Sequence, residues 1–229
     1  MKIALLCPSR GRPQRFADMA HSALWTASYP DRVMLYLTAD CDDPKFDEYL
    51  KLPPHRTVWH PNMVPGRKVP ELLNELARRA DEDILFAVSD DILFRTQGWD
   101  DILQAAFERY PDGLLVAYTN DGLDRDKCLH FAVSQRWLKF TGDLIWPGFE
   151  HFYGDEWVET LGRAIGRTVF LRDLVTEHMH YKYGKAPNDA TYSAKRGNGM
   201  SRRDGQRMQE QLPEIERIAE RMRAAMVAA

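Results

Sequence analysis

Apolar residues occur along this chain in short uninterrupted runs, and the stretches between them carry apolar residues at helical spacing. Residues 2–7 (KIALLC), 32–38 (RVMLYLT) and 84–88 (ILFAV) predict buried strands. Residues 57–60, 113–118 (GLLVAY) and 168–171 predict three more, with Phe131-Ala132-Val133 pairing beside the second of these. Phe16, Met19, Ala20, Ala23 and Leu24 share one helical face, as do Val69, Leu72, Leu73 and Leu76. Further helices are predicted over 99–110 and over 156–165, the latter through Trp157, Val158, Leu161 and Ile165. Residues 137–146 show no clear period. Residues 182–207, rich in Gly, Asn, Ser and basic side chains, predict a long loop. A final helix over 213–227 presents Ile215, Ile218, Met222 and Met226 on one side and a solvated charged face on the other.

Strands that alternate with helices imply a mostly parallel central sheet flanked by helices, an α/β, Rossmann-like architecture. The 229 residues suffice for one such domain. With 44% hydrophobic and 28% charged residues, the composition is that of an ordinary globular protein. A net charge of -3 argues against a generally basic nucleic-acid binder. Cys7, Cys41 and Cys128 lie too far apart for a zinc spacing or a disulfide framework, which fits a reducing compartment. No apolar stretch approaches the roughly 20 residues of a membrane helix. A cytoplasmic protein with no membrane partner is the expectation.

Charged clusters follow the predicted strands at Ser9 to Arg12, Asp40 to Asp43, Ser89 to Asp91, and His178 to His180. In a parallel sheet such strand ends share one edge, where open α/β sheets bind ligands. Paired carboxylates with imidazole suit a divalent ion such as Mn²⁺, and Arg10, Arg12, Arg67 and Lys68 suit phosphates. Asp42 and Asp43, beside Pro44, read as turn formers, and His130 and His151 as ordinary partly buried histidines.

The order Cys7-Pro8-Ser9-Arg10-Gly11-Arg12-Pro13, an acidic turn, Ser89-Asp90-Asp91, Gly154-Asp155-Glu156 and a His-rich segment resembles a GT-A glycosyltransferase. It is most similar to short, phage-type family-2-like enzymes, and the likeness covers about residues 1–195. The resemblance implies a catalytic domain over 1–195, with 196–229 forming a basic loop and a C-terminal amphipathic helix packed on it. It implies that Pro8, Ser9, Arg10 and Arg12 line a nucleotide-sugar pocket, with Asp40 near the base or ribose and Arg67 and Lys68 near the phosphates. Asp91, assisted by Asp90, would bind Mn²⁺ or Mg²⁺, completed by His180 or His178. Asp155 would be the general base, with Glu156 the other candidate. Ser89 stands where the family's Asp-x-Asp element has its first acid, which leaves open which of Asp90 and Asp91 binds metal.

The implied reaction moves a sugar from a nucleotide-diphosphate donor, a UDP-sugar foremost, to an acceptor hydroxyl with inversion. Two acceptors stay open: a glycan, or a hydroxymethylated base in phage DNA. The basic segment, with Lys182, Lys185, Lys195, Arg196, Arg202, Arg203 and Arg207, reads as a solvated loop, a lid over the donor, or a grip on DNA. Competing readings of the whole chain are a nucleotide-sugar-binding module without catalysis and a nucleotidyltransferase.

Overall fold

A computed structural model describes residues 1–52, 56–123, 126–194 and 199–226. Among these, eight strands form one curled sheet in the order β3-β2-β1-β4-β7-β6-β8-β5. They are β1 (Ile3–Ser9), β2 (Val33–Ala39), β3 (Thr57–Trp59), β4 (Ile84–Ala87), β5 (Ile92–Phe94), β6 (Val116–Asn120), β7 (Phe131–Ser134) and β8 (Thr168–His178). β1 pairs in parallel with β2 and β4, β2 with β3, and β6 with β8. β7 runs antiparallel to both β4 and β6, and β5 antiparallel to β8. The sheet is therefore mostly parallel, as expected, with two reversed strands.

Alternate side chains of each strand enter two apolar layers, the two-residue period of a pleated strand. Ala4, Leu6, Leu85 and Ala87 join one layer, covered by α3 (Val69–Arg79), α5 (Gln135–Thr141), α6 (Gly154–Ala164) and α8 (Met200–Ala225). Ile3, Leu5, Cys7, Ile84 and Phe86 join the other, covered by α1 (Pro13–Thr26) and α4 (Trp99–Glu108). Two short helices complete the chain, α2 (Phe46–Tyr49) and α7 (Ala190–Ala194).

Three sequence expectations need correction, and one unassigned stretch gains a structure. Residues 137–146, without a visible period, begin inside α5, which Ser134 starts by accepting a hydrogen bond from the Arg136 N–H at 3.1 Å. The last strand extends past 171 to His178 because β5, absent from the sequence reading, pairs with its second half. Residues 182–207 are not one long loop. They hold α7 and the start of α8, whereas Lys195 and Arg196 lie outside the described residues. The last helix begins at Met200 instead of 213, with Pro213 inside it, and its expected end at Val227 also lies outside the described residues.

Asp204 explains the early start of α8. Its fully buried carboxylate accepts the backbone N–H groups of Glu150, His151 and Phe152, each at 2.9 Å, and pairs with Arg207 at 2.9 Å. Burial alone would raise its pKa, yet these donors hold it below the usual carboxylate value. The contact ties α8 to the chain that leads into α6. Asp204→Ala is expected to cost about 3 kcal/mol, because charge-assisted hydrogen bonds are lost and amides are left unpaired. The depressed pKa adds stability above the unfolded carboxyl's pKa that fades as pH falls through the lower folded value. Urea melts of wild type and variant at pH 7 check the first statement; a variant as stable as wild type would contradict it.

Candidate active site

Six strands point the same way, so the ends of β1, β2, β4, β6 and β8 share one edge, and reversed β7 starts there. That edge gathers Ser9, Asp40, Asp90, Asp91, His130 and His178. α6 precedes β8, a strand parallel to the main set, so the helix returns the chain to the opposite edge. Its N-terminus, with Asp155 and Glu156, accordingly opens on the acidic edge.

Asp90 and Asp91 are each 6% exposed and stand at the turn between β4 and β5. Asp90 accepts from the Ser9 hydroxyl at 2.6 Å and from Arg12 Nη1 at 3.1 Å. Burial, reinforced by the neighbouring Asp91 charge, pushes the Asp90 carboxyl up. Asp91 Oδ1 accepts from Ser89 Oγ at 2.6 Å and lies 3.4 Å from His178 Nε2. Its Oδ2 accepts from Tyr192 Oη at 2.6 Å and from Arg12 Nη1 at 3.4 Å. Burial would raise the Asp91 carboxyl as well, but His178, Ser89 and Tyr192 hold it well below the usual range. The two carboxyls are therefore shifted in opposite directions, Asp90 up and Asp91 down.

Arg12 is the hub between them. Its Nε and Nη2 make a two-pronged contact to Asp189, both at 2.8 Å, and its guanidinium lies 4.0 Å from the Tyr192 ring centroid. Tyr49 Oη accepts from the Arg12 N–H at 3.0 Å and meets Ser9 Oγ at 2.7 Å. Tyr49, His130, Asp189 and Tyr192 were not singled out from the sequence for this edge. The last two sit in the segment read as a loop, where no periodicity or motif marks them.

His130 is a buried histidine, as expected, and it packs beside the acids. Its Nε2 is 3.0 Å from Ser89 Oγ and its ring 5.4 Å from that of His178. Burial, then the nearby His178, lowers its pKa to about 3, so it is neutral. His178 ends β8, whereas His180 has left the strand and accepts the Lys182 N–H at Nδ1, 3.1 Å away. The two rings are 5.1 Å apart, and burial followed by His178 lowers the His180 pKa.

The other sequence-derived candidates divide. Arg10 reaches Asp40 at 2.7 Å and Asp42 at 2.6 Å, and Asn62 also donates to Asp40, at 2.6 Å. Pro8 lies within β1, directly before Ser9. Asp43 makes the expected turn contact to the Lys45 N–H, and also accepts from the Gly11 N–H. Arg67 pairs with Glu71 and Glu75 at 3.9 and 3.8 Å, and Lys68 stands at the start of α3, its backbone N–H donating to Glu71 at 3.3 Å.

Asp155 lines a cavity of about 460 Å³ with Lys127, Cys128, Tyr153, Glu156 and Glu159. Burial pushes its carboxyl up to about 6, although it accepts the Glu156 N–H at 3.0 Å. Cys128 feels the Asp155 charge, and only Leu129 separates it from His130, so one short segment joins this cavity to Asp91.

No family model and no curated protein matches this sequence. Among solved structures, the mannosyltransferase PcManGT from Pyrobaculum calidifontis, in complex with GDP-Man and Mn²⁺, superposes with a TM-score of 0.63 at 13% identity, covering 98% of this chain and 73% of that one. S. aureus TarS 1-349 in complex with UDP does so with a TM-score of 0.60 at 11% identity over 77% of this chain and 59% of that one. Both are GT-A-type glycosyltransferases. This chain has the GT-A fold. The same TarS fragment in complex with UDP-GlcNAc gives a TM-score of 0.59 at 11% identity, so neighbours of this GT-A chain hold both UDP and GDP nucleotides. The chain spans less than two thirds of that TarS fragment.

Proposed function

We propose that this chain transfers a sugar from a nucleotide-diphosphate sugar, a UDP-sugar foremost, to an acceptor hydroxyl with the help of Mn²⁺ or Mg²⁺. The observation that carries the proposal is the placement, on one edge of a GT-A sheet, of two buried carboxylates after β4 and of a separate acid, Asp155, in the first turn of α6 where it lines a cavity. Among the described residues no three His, Cys, Asp or Glu side chains already converge on one point for an ion. Asp91 and His178 nevertheless supply a carboxylate and an imidazole at one place, and ions of this kind usually complete their shell with substrate phosphates and water. The donor set therefore fits. Asp91 and His178, with Asp90 or His180 beside them, would hold the ion, which when bound stabilises charge on the departing diphosphate.

The chain's own residues would do the rest. Ser9, Arg10 and Asp40, next to Pro8, would form the wall against the nucleotide, with Arg12 beside the diphosphate. Lys68 would join them, and Arg67 after leaving Glu71 and Glu75. Asp155 would take the proton of the attacking hydroxyl, and at a pKa near 6 it is ionised and still basic at neutral pH. Attack in line with the departing diphosphate inverts the anomeric carbon.

The surroundings of Asp155 favour a glycan over DNA as acceptor. Glu156 and Glu159 share its cavity and outnumber the one lysine there, Lys127, while Tyr153 offers an apolar face. Three cations of the basic segment are also engaged with acids of the chain: Lys185 pairs with Glu177, and Arg203 and Arg207 share Glu150, at 2.7 to 2.9 Å.

The test is calorimetry with UDP, GDP, CDP and ADP and their sugars, with and without Mn²⁺, followed by an assay for released nucleoside diphosphate with glycan or hydroxymethylated DNA as acceptor. One nucleotide should bind in a metal-dependent way, Asp91→Asn should weaken that binding at least about tenfold, and glycan should be the better acceptor. Absence of any nucleotide binding by folded protein would end the proposal. Release of pyrophosphate would turn it toward a nucleotidyltransferase.

A further inference from the structure

The chain's own donors already occupy Asp91. An ionised carboxylate offers about four lone pairs, two on each oxygen. Its Oδ1 meets Ser89 Oγ at 2.6 Å and His178 Nε2 at 3.4 Å. Its Oδ2 meets Tyr192 Oη at 2.6 Å and Arg12 Nη1 at 3.4 Å. A fifth partner reaches Asp91 only by displacing one of these four. Arg12 Nη1 also lies 3.1 Å from Asp90 Oδ1, so it stands between the two carboxylates. A cation that touches both acids needs that same place.

One short segment holds Arg12 and Tyr192 there. Asp189 grips the Nε and Nη2 of Arg12, both at 2.8 Å, which leaves Nη1 turned toward the acids. The Tyr192 ring, 4.0 Å from the guanidinium, backs the same contact. Its hydroxyl accepts from Arg15 Nη1 at 3.1 Å and donates onward to Asp91. Thr191 Oγ1 donates to the Arg10 carbonyl at 3.0 Å. Asp189, Thr191 and Tyr192 thus clamp residues 10–15 against the sheet edge. Arg12, Tyr192 and both acids are buried in the result.

Charge decides whether this arrangement and a bound ion coexist. A guanidinium and a divalent ion beside the same two carboxylates repel each other at short range. The acids therefore keep Arg12 or take the ion, and the segment 189–192 favours Arg12. A ligand that binds only the open form has its apparent affinity reduced by the fraction of molecules that are open. Once displaced, Arg12 is released for the departing diphosphate.

We infer that residues 189–192 form a self-blocking latch, holding Arg12 between Asp90 and Asp91 in the place that a divalent cation would take. The latch rests on the proposed metal role of Asp91. Binding of the ion opens it, and by reciprocity any change that weakens the latch tightens the ion.

The experiment measures Mn²⁺ alone binding to the full chain, followed by the paramagnetic resonance signal of the free ion. Tyr192→Phe keeps the ring against Arg12 and removes only the hydroxyl. Asp189→Asn keeps the shape and removes the charge opposite the guanidinium. Each is expected to bind Mn²⁺ about tenfold more tightly than wild type, and Asp91→Asn more weakly. Mn²⁺ should also speed hydrogen exchange in the peptide holding Tyr192 and Ser193, whose amides donate to Asp189 at 3.0 Å. Affinity no tighter than wild type in the folded latch variants would overturn the inference and make these residues supports of the ion. Absence of Mn²⁺ binding in wild type and every variant would remove the metal role itself, and the latch with it, so the two failures are told apart.

Discussion

Asp155→Asn is expected to slow sugar transfer by about 10²–10⁴-fold, the usual contribution of a positioned base, while leaving nucleotide affinity unchanged. The side chains are nearly isosteric, so the α6 N-terminus keeps its geometry, but the amide accepts no proton. Wild-type turnover should rise with pH through about 6, where the Asp155 carboxyl ionises, and then level off. Stability should move the other way. A carboxyl whose folded pKa exceeds its unfolded value of 3.8 favours folding while protonated, and that contribution fades as pH climbs from about 3.8 to 6. Above pH 6 the Asn variant should therefore be more stable than wild type. Turnover against pH, calorimetry with the donor nucleotide, and urea melts at pH 5 and 8 check all three. An Asn variant that turns over normally would remove Asp155 from the role of base, and an acid limb that persists in it would assign that limb to another group.

Arg12→Ala is expected to cost about 3–5 kcal/mol of folding stability, the range for removing one partner of a buried ion pair. Arg12 is the cation against Asp90 and Asp91, which are buried, and against Asp189, and it stacks on Tyr192. Without it, the adjacent buried carboxylates of Asp90 and Asp91 lose the guanidinium that contacts them both. Arg12→Lys should recover part of the loss, since it keeps the charge but not the two-pronged contact to Asp189. Mn²⁺ should raise the melting temperature of Arg12→Ala more than that of wild type, because an ion can then neutralise the same acids. Thermal melts with and without Mn²⁺ measure each of these. Wild-type stability in the Ala variant would mean that the acids are already neutralised by protonation, and equal Mn²⁺ shifts would separate the ion from this pair.

The sequence by itself was enough for the α/β class, most elements and the gathering of Ser9, Asp90 and Asp91. Buried strands such as 84–88 are continuous apolar runs, helices such as α3 carry a clear period, and parallel strands must share an edge. Local pattern did not reveal β5 or α5, nor the start of α8 at Met200. β5 is three residues long and exists because β8 pairs with it. The first half of α8 is polar, with Gly205 inside it, and is held by the buried Asp204 reaching back to residues 150–152.

The site divides along the same line. Asp90 and Asp91 could be picked out because acids at strand ends are visible in one dimension, whereas Asp155 entered only through the family resemblance, since acids are common at any helix start. The direction of β7, which brings His130 to the acids, is a pairing choice that residues 131–134 do not encode alone. Asp189 and Tyr192 reach Arg12 and Asp91 across 177 and 101 residues of chain. Contacts of that range arise when separate elements pack, and a side chain in a segment without period carries no local mark of the partner it will meet.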